Sequence, residues 1–406
     1  MRNVALVGIG GYGQEHLRVL RTLQAGGACR LAAVADPFAH ARQPETVAAL
    51  ESENVAVYDD LPRLLERSDV EAIFLATPIA LHAAQATLAL QAGKHVYLEK
   101  PPCATLGEHA QMRAAQKAAG KICVVGFQMQ TSPALRFLKR QLCVEGALGD
   151  LQTIWAGVRW RRDDAYYSRA SWAGRFFLGS QPVFDGPATN ALSHVVHAAL
   201  FLAGPTENDW AELARVRGTL KRARPIESYD TAFLEAETAG GTSVRLCFTH
   251  ATDEHDTPVL CCAGTRGTAE LDWNGQITLS TKGQPPRVLT FKHDPGIAAA
   301  LDFLRAVSET EAGCSPRPFT TLQDTLPYLQ IVNGACQSGK GASSFPSALV
   351  EPFHEGTPKR HYRVARLNEQ IAAFCQDPDA VPPLLRADDL PWINVADLSP
   401  DLSAAM

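Results

Sequence analysis

No run of apolar residues in this 406-residue chain approaches the length of a membrane span. The N-terminal apolar run is short, broken by glycines and continuous with a first strand, so it does not read as a secretion signal. Neither sign of charge dominates. There are 38 Lys and Arg against 43 Asp and Glu, a formal net charge of -5, which argues against nucleic acid or an anionic membrane as the partner. The ten cysteines contain no C-x-x-C pair and no regular framework, and Cys261 and Cys262 are adjacent. That usage fits reduced thiols in a cytoplasmic protein better than disulfides. Internal repeats are absent too. What remains is the composition of an ordinary soluble globular protein, long enough for two domains that each bury a core.

The N-terminal residues carry the strongest signal. The apolar stretch Val4-Ala5-Leu6-Val7 runs into Gly8-Ile9-Gly10-Gly11-Tyr12-Gly13, and an amphipathic segment, residues 14–20, follows at once. Strand, glycine loop and helix with G-x-G-x-x-G spacing form a dinucleotide-binding turn. Gly8 permits the tight turn, Gly10 lets the backbone approach a pyrophosphate, and Gly13 lets helix pack on strand. The helix N-terminus then offers N–H groups and a partial positive charge to the phosphates. A second apolar run, residues 30–35, ends on Asp36, at the separation of the acid that binds the adenosine ribose. Asp36 accepts from a free 2′-hydroxyl and repels a 2′-phosphate, and no Arg or Lys follows immediately. NAD is therefore expected rather than NADP.

Residues 1–125 alternate strand and helix, with apolar strands at 55–58, 72–76, 95–98 and 122–125 and helices at 45–50, 61–67, 81–91 and from 105 to about 120. Continuous apolar strands between helices imply a parallel sheet covered on both faces. From about residue 126 a helix, 133–143, leads to strand-like segments at 151–160, 213–220, 231–237, 243–249, 259–262 and 276–280. These predict a second α/β domain, 126–340, with an open, mostly antiparallel sheet. Helical stretches at 297–307 and 321–336 are expected to return to the first domain. Residues 341–406, rich in proline, read as an extended C-terminal extension crossing the surface or a neighbouring subunit.

Ligands of an open parallel sheet bind beyond the carboxyl ends of its strands, where Thr77-Pro78, Glu99-Lys100-Pro101 and Gly126-Phe127-Gln128 fall. Lys100 is the residue placed to act: a lysine beside a bound nicotinamide can protonate or polarise a substrate oxygen during hydride transfer. Pro101 restrains it toward an extended conformation.

Taken together, Gly8-x-Gly10-x-x-Gly13, Ala76-Thr77-Pro78-x-x-x-His82, Glu99-Lys100-Pro101 and Val125-Gly126-Phe127 resemble the Gfo/Idh/MocA family of glucose–fructose oxidoreductase, inositol dehydrogenase and their relatives. The resemblance covers roughly residues 1–340. It implies a Rossmann domain followed by an α/β domain whose open sheet often forms the oligomer interface, hence a homo-oligomer, dimer or tetramer. It also implies NAD or NADP, a sugar or cyclitol substrate, and a catalytic lysine, Lys100. The expected cofactor site comprises Gly8, Gly10, Gly11, Tyr12, Gly13, Asp36, Thr77, Pro78, His82, Glu99, Lys100 and Gln128.

The family's second motif, Asp, three residues, His, then Asp three later, reads here as Asn190, His194 and His197. Both acids are replaced. If the stretch is helical the three share one face. Asn190 can orient a hydroxyl but cannot favour a charged neighbour as a carboxylate does. His194 is read as a substrate-binding or acid/base residue, and His197 as structural. No metal site is expected, because the motif offers His194 and His197 no carboxylate partner. The segment from Arg159 to Arg175 interleaves arginines with aromatics, and Tyr167, Trp172 and Arg175 are the expected sugar contacts. The stretch His250-Ala251-Thr252-Asp253-Glu254-His255-Asp256 is dense in metal-ligand types but reads as a solvated loop.

The leading expectation is thus an NAD-dependent dehydrogenase acting on a CH–OH group, with catalytic Lys100, His194 and Asn190. Two alternatives stand beside it: a redox-neutral lyase or hydrolase that uses tightly held NAD transiently, and a non-catalytic NAD-binding regulator.

Overall fold

A computed structural model describes residues 1–318 and 320–403. Val4, Ala5, Leu6 and Val7 are all buried, as a central strand covered on both faces requires. They lie in β1 (Arg2–Val7), followed by β2 (Cys29–Ala35), β3 (Ala56–Tyr58), β4 (Ala72–Leu75), β5 (His95–Leu98) and β6 (Cys123–Val125). All pair in parallel in the order β3-β2-β1-β4-β5-β6. The order reverses between β1 and β4, and ligands of such sheets bind where the loops after those two strands diverge. Helices Gly13–Ala25, Ile79–Gln91 and Leu106–Ala119 make connections. On one face Phe74 stacks on Tyr97 at 4.9 Å, and Phe303 meets both rings edge-on at 5.4 and 5.7 Å.

Phe303 belongs to the helix Pro295–Glu311, far along the chain, and the compact unit is Met1–Cys103, Gly107–Thr131 and His293–Thr325. This return was legible in the sequence at 297–307. The one read at 321–336 divides: Gln323–Thr325 is a 3-10 turn of the first unit, whereas helix Leu326–Ser338 belongs to the second. Glycines decide that placement. A Cβ on Gly334 would stand 2.1 Å from Val216 Cγ2, and one on Gly218 would stand 2.6 Å from the Ala335 methyl. Helix and strand touch along a seam with no room for side chains.

The second unit comprises residues 104–106, 132–292 and the chain from Leu326 onward. Its strands are β7 (Leu151–Arg159), the short hairpin β8 (Phe177–Leu178) and β9 (Gln181–Pro182), β10 (Leu213–Arg222), β11 (Thr231–Thr238), β12 (Ser243–Thr249), β13 (Val259–Gly264), β14 (Gly267–Asp272), β15 (Gln276–Thr281), β16 (Arg287–Thr290) and β17 (Ala342–Ser344). The large sheet runs β16-β15-β14-β13-β7-β12-β11-β10-β17 and is mostly antiparallel, with parallel pairs at β7–β12 and β10–β17. β14 and β16 escaped the sequence reading, although Ala269 and Leu271 alternate with exposed Thr268 and Glu270.

Side-chain alternation splits this sheet into two faces. Val216, Gly218, Leu234 and Leu246 share the face toward helix Leu326–Ser338. Phe233, Cys247, Trp155 and Cys261 share the other, which the C-terminal segment covers with Phe345, Val364, Leu367, Ile371, Phe374 and Leu385. The segment therefore departs from the extended tail read from its prolines. It folds into the hairpin β18 (Val350–Phe353) and β19 (His361–Val364), the helix Leu367–Gln376 and a short β20 (Ile393–Asn394) on β10. Its apolar positions are spent on this sheet. The ten cysteines form no disulfide, and no helix among the described residues is long and apolar enough to cross a membrane.

Candidate active site

The turn after β1 has the shape its glycines demand. Gly8 has φ of +82°, and a Cβ there would stand 2.6 Å from Ala76 O; a Cβ on Gly13 would stand 2.0 Å from Gly8 O. Gly11, at φ +51°, has nothing within 4 Å of where its Cβ would be. The loop is thus closed on its inner side and open at its tip, next to the N-terminus of helix Gly13–Ala25. That cradle fits a pyrophosphate. Asp36 stands against it, its Oδ2 accepting from Ile9 N–H at 3.0 Å and its Oδ1 from Phe38 N–H at 2.9 Å. Each carboxylate oxygen keeps a lone pair for a ribose hydroxyl.

At the end of β5, Glu99 is 5 % exposed. Its Oε1 receives His16 Nε2 at 2.9 Å and Gln128 Nε2 at 2.8 Å, and its Oε2 accepts from Lys100 N–H at 3.1 Å. One carboxylate therefore ties the helix of the glycine loop, the backbone of Lys100 and the segment after β6. Gly126 lies close beside it: a Cβ there would stand 2.8 Å from Glu99 Oε1. His82 spans two strand ends, with Nδ1 2.7 Å from Pro101 O and Nε2 2.7 Å from Thr77 O. Burial pushes its imidazole below the usual value although both carbonyls oppose this. Thr77 Oγ1 donates to Gln85 Oε1 at 2.6 Å. Of the expected cofactor residues, Glu99, Gln128 and His82 thus have their polar atoms on protein partners and shape the strand ends, whereas Gly8 to Gly13 and Asp36 form the cradle.

The second unit carries the other expected residues. Pro187–Ala191 is a single π-helical turn, with Leu192 N–H on Pro187 O at 2.7 Å, a local widening often found at functional sites. The α-helix Ser193–Leu202 begins after it, so Asn190 does not continue one α-helical face with His194 and His197. The π turn sits on Tyr229, whose ring occupies the space a Gly186 Cβ would need, and whose hydroxyl accepts from Thr189 N–H at 3.2 Å. Asn190 Nδ2 donates to Asp185 Oδ1 at 2.8 Å. His194 is half-buried at the start of the helix, and His197 is fully buried with its ring 5.3 Å from that of Trp210, a packing position.

Between residues 160 and 172, aromatic rings and guanidinium groups alternate. Arg162 lies over Trp160 at 4.4 Å and Tyr166 at 4.8 Å, and Arg169 over Tyr166 at 3.7 Å and Trp172 at 4.6 Å. Such contacts hold a loop with some rigidity. Tyr167 points its hydroxyl inward, 2.9 Å from His250 Nδ1, under the Arg224 guanidinium at 4.1 Å. Of the three expected sugar contacts, its polar end is thus held by the protein, while Arg175 is exposed with Glu227 at 3.8 Å. His250 itself is buried rather than solvated, and burial with Arg162, Arg224 and Arg169 nearby pushes its imidazole well below the usual value. The rest of that loop is anchored as well: Asp256 grips Arg159, and Asp253 takes Asn368 Nδ2 at 2.7 Å. Two residues absent from the sequence reading hold expected site residues, His16 on Glu99 and Asp185 on Asn190. His16 follows Gly13 by three positions on the buried side of its helix, and Asp185 directly precedes Gly186-Pro187.

Comparison with known proteins agrees with this geometry. The profile described as "Oxidoreductase family, NAD-binding Rossmann fold" matches residues 2–127, and that of the GFO/IDH/MocA C-terminal domain matches residues 139–270. The chain belongs to the Gfo/Idh/MocA family. Within it, galactose 1-dehydrogenase of Pseudomonas fluorescens is 33% identical over 232 residues, 56% of this chain and 67% of that protein. The Gfo/Idh/MocA chain described here spans only 18% and 47% of two other curated relatives. Among solved structures, the WlbA dehydrogenase from Bordetella pertussis, in complex with NADH and UDP-GlcNAcA, superposes with a TM-score of 0.70 at 22% identity, covering 84% of this chain and 96% of that one. KijD10, a 3-ketoreductase from Actinomadura kijaniata in complex with NADP and TDP-benzene, gives 0.68 at 21% identity, covering 85% and 99%. The fold is shared with holders of either nicotinamide cofactor.

Proposed function

We propose that this protein is an NAD-dependent oxidoreductase acting on a hydroxyl-bearing carbon of a sugar, a cyclitol or a derivative. NAD, when bound, accepts or returns the hydride at that carbon. The glycine loop, from Gly8 to Gly13, holds the pyrophosphate on backbone N–H groups, and Asp36 accepts from the ribose while repelling a 2′-phosphate. Lys100 gives or takes the proton at the substrate oxygen through Nζ. Asn190 and His194 bind and orient the reacting hydroxyl, Trp172 offers a ring face to the sugar, and Arg175 donates to its outer hydroxyls.

The observation that carries this reading is the Glu99 carboxylate. It links the helix behind the phosphate cradle to the backbone of the lysine that follows β5, so cofactor binding and proton transfer share a support. The test is formation of NADH from NAD with D-galactose, levoglucosan and myo-inositol as a starting panel. Lys100→Ala is expected to lower turnover by about 100-fold or more while NADH still binds. Unchanged turnover in that variant removes Lys100 from the mechanism.

Asn190, where an acid is usual, favours a second reading in which NAD is used transiently and no net redox change occurs. Product formed without accumulation of NADH, by protein that purifies with NAD, would select it. Cofactor binding with no turnover of any kind would leave a regulator.

A further inference from the structure

Position 190 lacks the carboxylate that its motif usually carries, yet a carboxylate stands beside it. Asp185 is 1% exposed. Its Oδ1 receives Asn190 Nδ2 at 2.8 Å, its Oδ2 receives Gly174 N–H at 2.7 Å, and Arg169 Nη2 lies 3.7 Å from Oδ1. Its own N–H donates to Arg175 O at 2.9 Å. Burying a carboxylate is costly unless hydrogen bonds and an opposite charge surround it, and here they do. The geometry around it is also rigid: Gly174 has φ of +70°, and a Cβ there would stand 3.0 Å from Tyr167 Cδ1 and Ile226 Cγ2.

We propose that Asp185 is a positioning residue of the substrate site, its carboxylate orienting both the Asn190 amide and the Arg169 guanidinium that carries Trp172. The proposal rests on the reading of Asn190 and Trp172 as substrate contacts. An amide whose nitrogen faces a carboxylate must turn its carbonyl oxygen the other way, so Asp185 fixes which end of Asn190 meets a hydroxyl. Arg169, drawn to the same carboxylate, lies over the Trp172 ring at 4.6 Å and sets the plane of that ring. The negative charge missing from position 190 is thus supplied from five residues upstream.

Two measurements test this on the full chain. With the first sugar of the panel that is oxidised, Asp185→Asn is expected to lower kcat by about 100-fold, as misorientation of a substrate contact does, with the Kd for NADH within about twofold of the parent. The swap Asp185→Asn with Asn190→Asp restores one carboxylate and one amide to the same hydrogen bond and should recover about tenfold or more of kcat. A purely structural Asp185 predicts no recovery, and that outcome overturns the proposal. The second measurement needs no substrate. Eight asparagines are present, so a chain labelled with ¹⁵N-asparagine gives a sparse spectrum in which the Asn190 side-chain signal is identified by its loss in Asn190→Ala. That signal should move in Asp185→Asn; an unmoved signal overturns the proposal even if no sugar in the panel is oxidised, a result that would count against the proposed function instead.

Discussion

His16 and Glu99 meet inside the first unit, Nε2 to Oε1 at 2.9 Å, with 6% and 7% of their side chains exposed. The contact places a polar tie across 83 residues of sequence, between the helix behind the phosphate cradle and the strand end that carries Lys100. Glu99→Ala strips the acceptor from His16, from Gln128 and from the Lys100 N–H. Buried donors without partners cost about 1–3 kcal/mol each, partly offset by relaxation, so a loss of about 3 kcal/mol is expected in urea unfolding. A loss below about 0.5 kcal/mol, within the scatter of surface substitutions, would show the tie to be incidental.

The glycine loop separates space from conformation. Gly13→Ala drives a methyl to 2.0 Å from Gly8 O, so the loop must deform and NADH binding should fall by at least about 100-fold, the effect of a displacement of about 1 Å at a positioned group. Gly11→Ala meets nothing within 4 Å but keeps a φ of +51°. It should cost only about 1 kcal/mol of stability and leave most of the affinity. Fluorescence titration with NADH compares the two directly; equal losses would place the loop's requirement in flexibility rather than in close approach.

Under the proposed function Asp36 selects between the two cofactors. Asp36→Ser keeps an acceptor for Ile9 N–H and removes the charge a 2′-phosphate would meet. The ratio of NADH to NADPH affinity is expected to shift toward NADPH by about tenfold or more, since juxtaposed like charges cost one to several kcal/mol. Parallel titrations read it. An unchanged ratio would mean that another group selects the cofactor.

What could be read in advance follows from the range of each interaction. The six parallel strands and their glycine loop were legible because apolar runs, turn glycines and caps act within a few residues. Lys100 was legible as a strand-end residue for the same reason. His16 looked like any helix histidine, because its partner lies in β5. Asp185 has partners only 5 and 11 residues away, and was hidden instead by a π turn whose spacing matches no helical template. The C-terminal segment was misread because proline content signals a break in local structure but says nothing of a sheet face formed by strands far earlier in the chain. His250 was underrated in a loop of charged residues whose partners, Tyr167, Arg363 and Asn368, come from elsewhere.

His109 gives the fold a pH dependence. It is buried, Nε2–H donates to Leu322 O at 2.7 Å, and burial pulls its imidazole down to about 4. The unfolded chain titrates near 6.5. Between those values the unfolded state binds the proton and the folded state does not, so stability falls as pH drops below about 6.5 and the fall levels off near 4. At pH 5 the loss from this residue is about 2 kcal/mol. His109→Gln retains a donor for Leu322 O without a titrating group. Urea unfolding at pH 7 and pH 5 should show a smaller acid loss in the variant by about that amount; equal losses would mean that His109 titrates normally.

Gly157 and Cys375 explain how the C-terminal helix lies on the large sheet. A Cβ at Gly157 would stand 2.5 Å from Cys375 Sγ and 3.1 Å from Ile371 Cγ2, so the strand is bare where helix Leu367–Gln376 crosses it. Trp155 Nε1 donates to Cys375 O at 3.1 Å, Arg245 donates to Pro378 O at 3.0 Å, and Phe374 meets Phe233 edge-on at 5.8 Å. The sheet face that carries Trp155, Phe233 and Cys247 is therefore covered by the chain's own end. Phe374→Ala removes a fully buried ring, worth about 3–5 kcal/mol in a packed core. Because the ring holds the cover and not the glycine loop, NADH affinity should stay within about twofold while amide exchange rises across residues 367–376 and in β7, β11 and β12 beneath them. Gly157→Val should do the same by steric expulsion. Uncovering so large an apolar surface should also make the variants self-associate with rising concentration in light scattering, whereas exchange in β7, β11 and β12 of the parent should not depend on concentration. Concentration-dependent protection of those strands in the parent would mean that a second copy, rather than the C-terminal helix, covers the sheet.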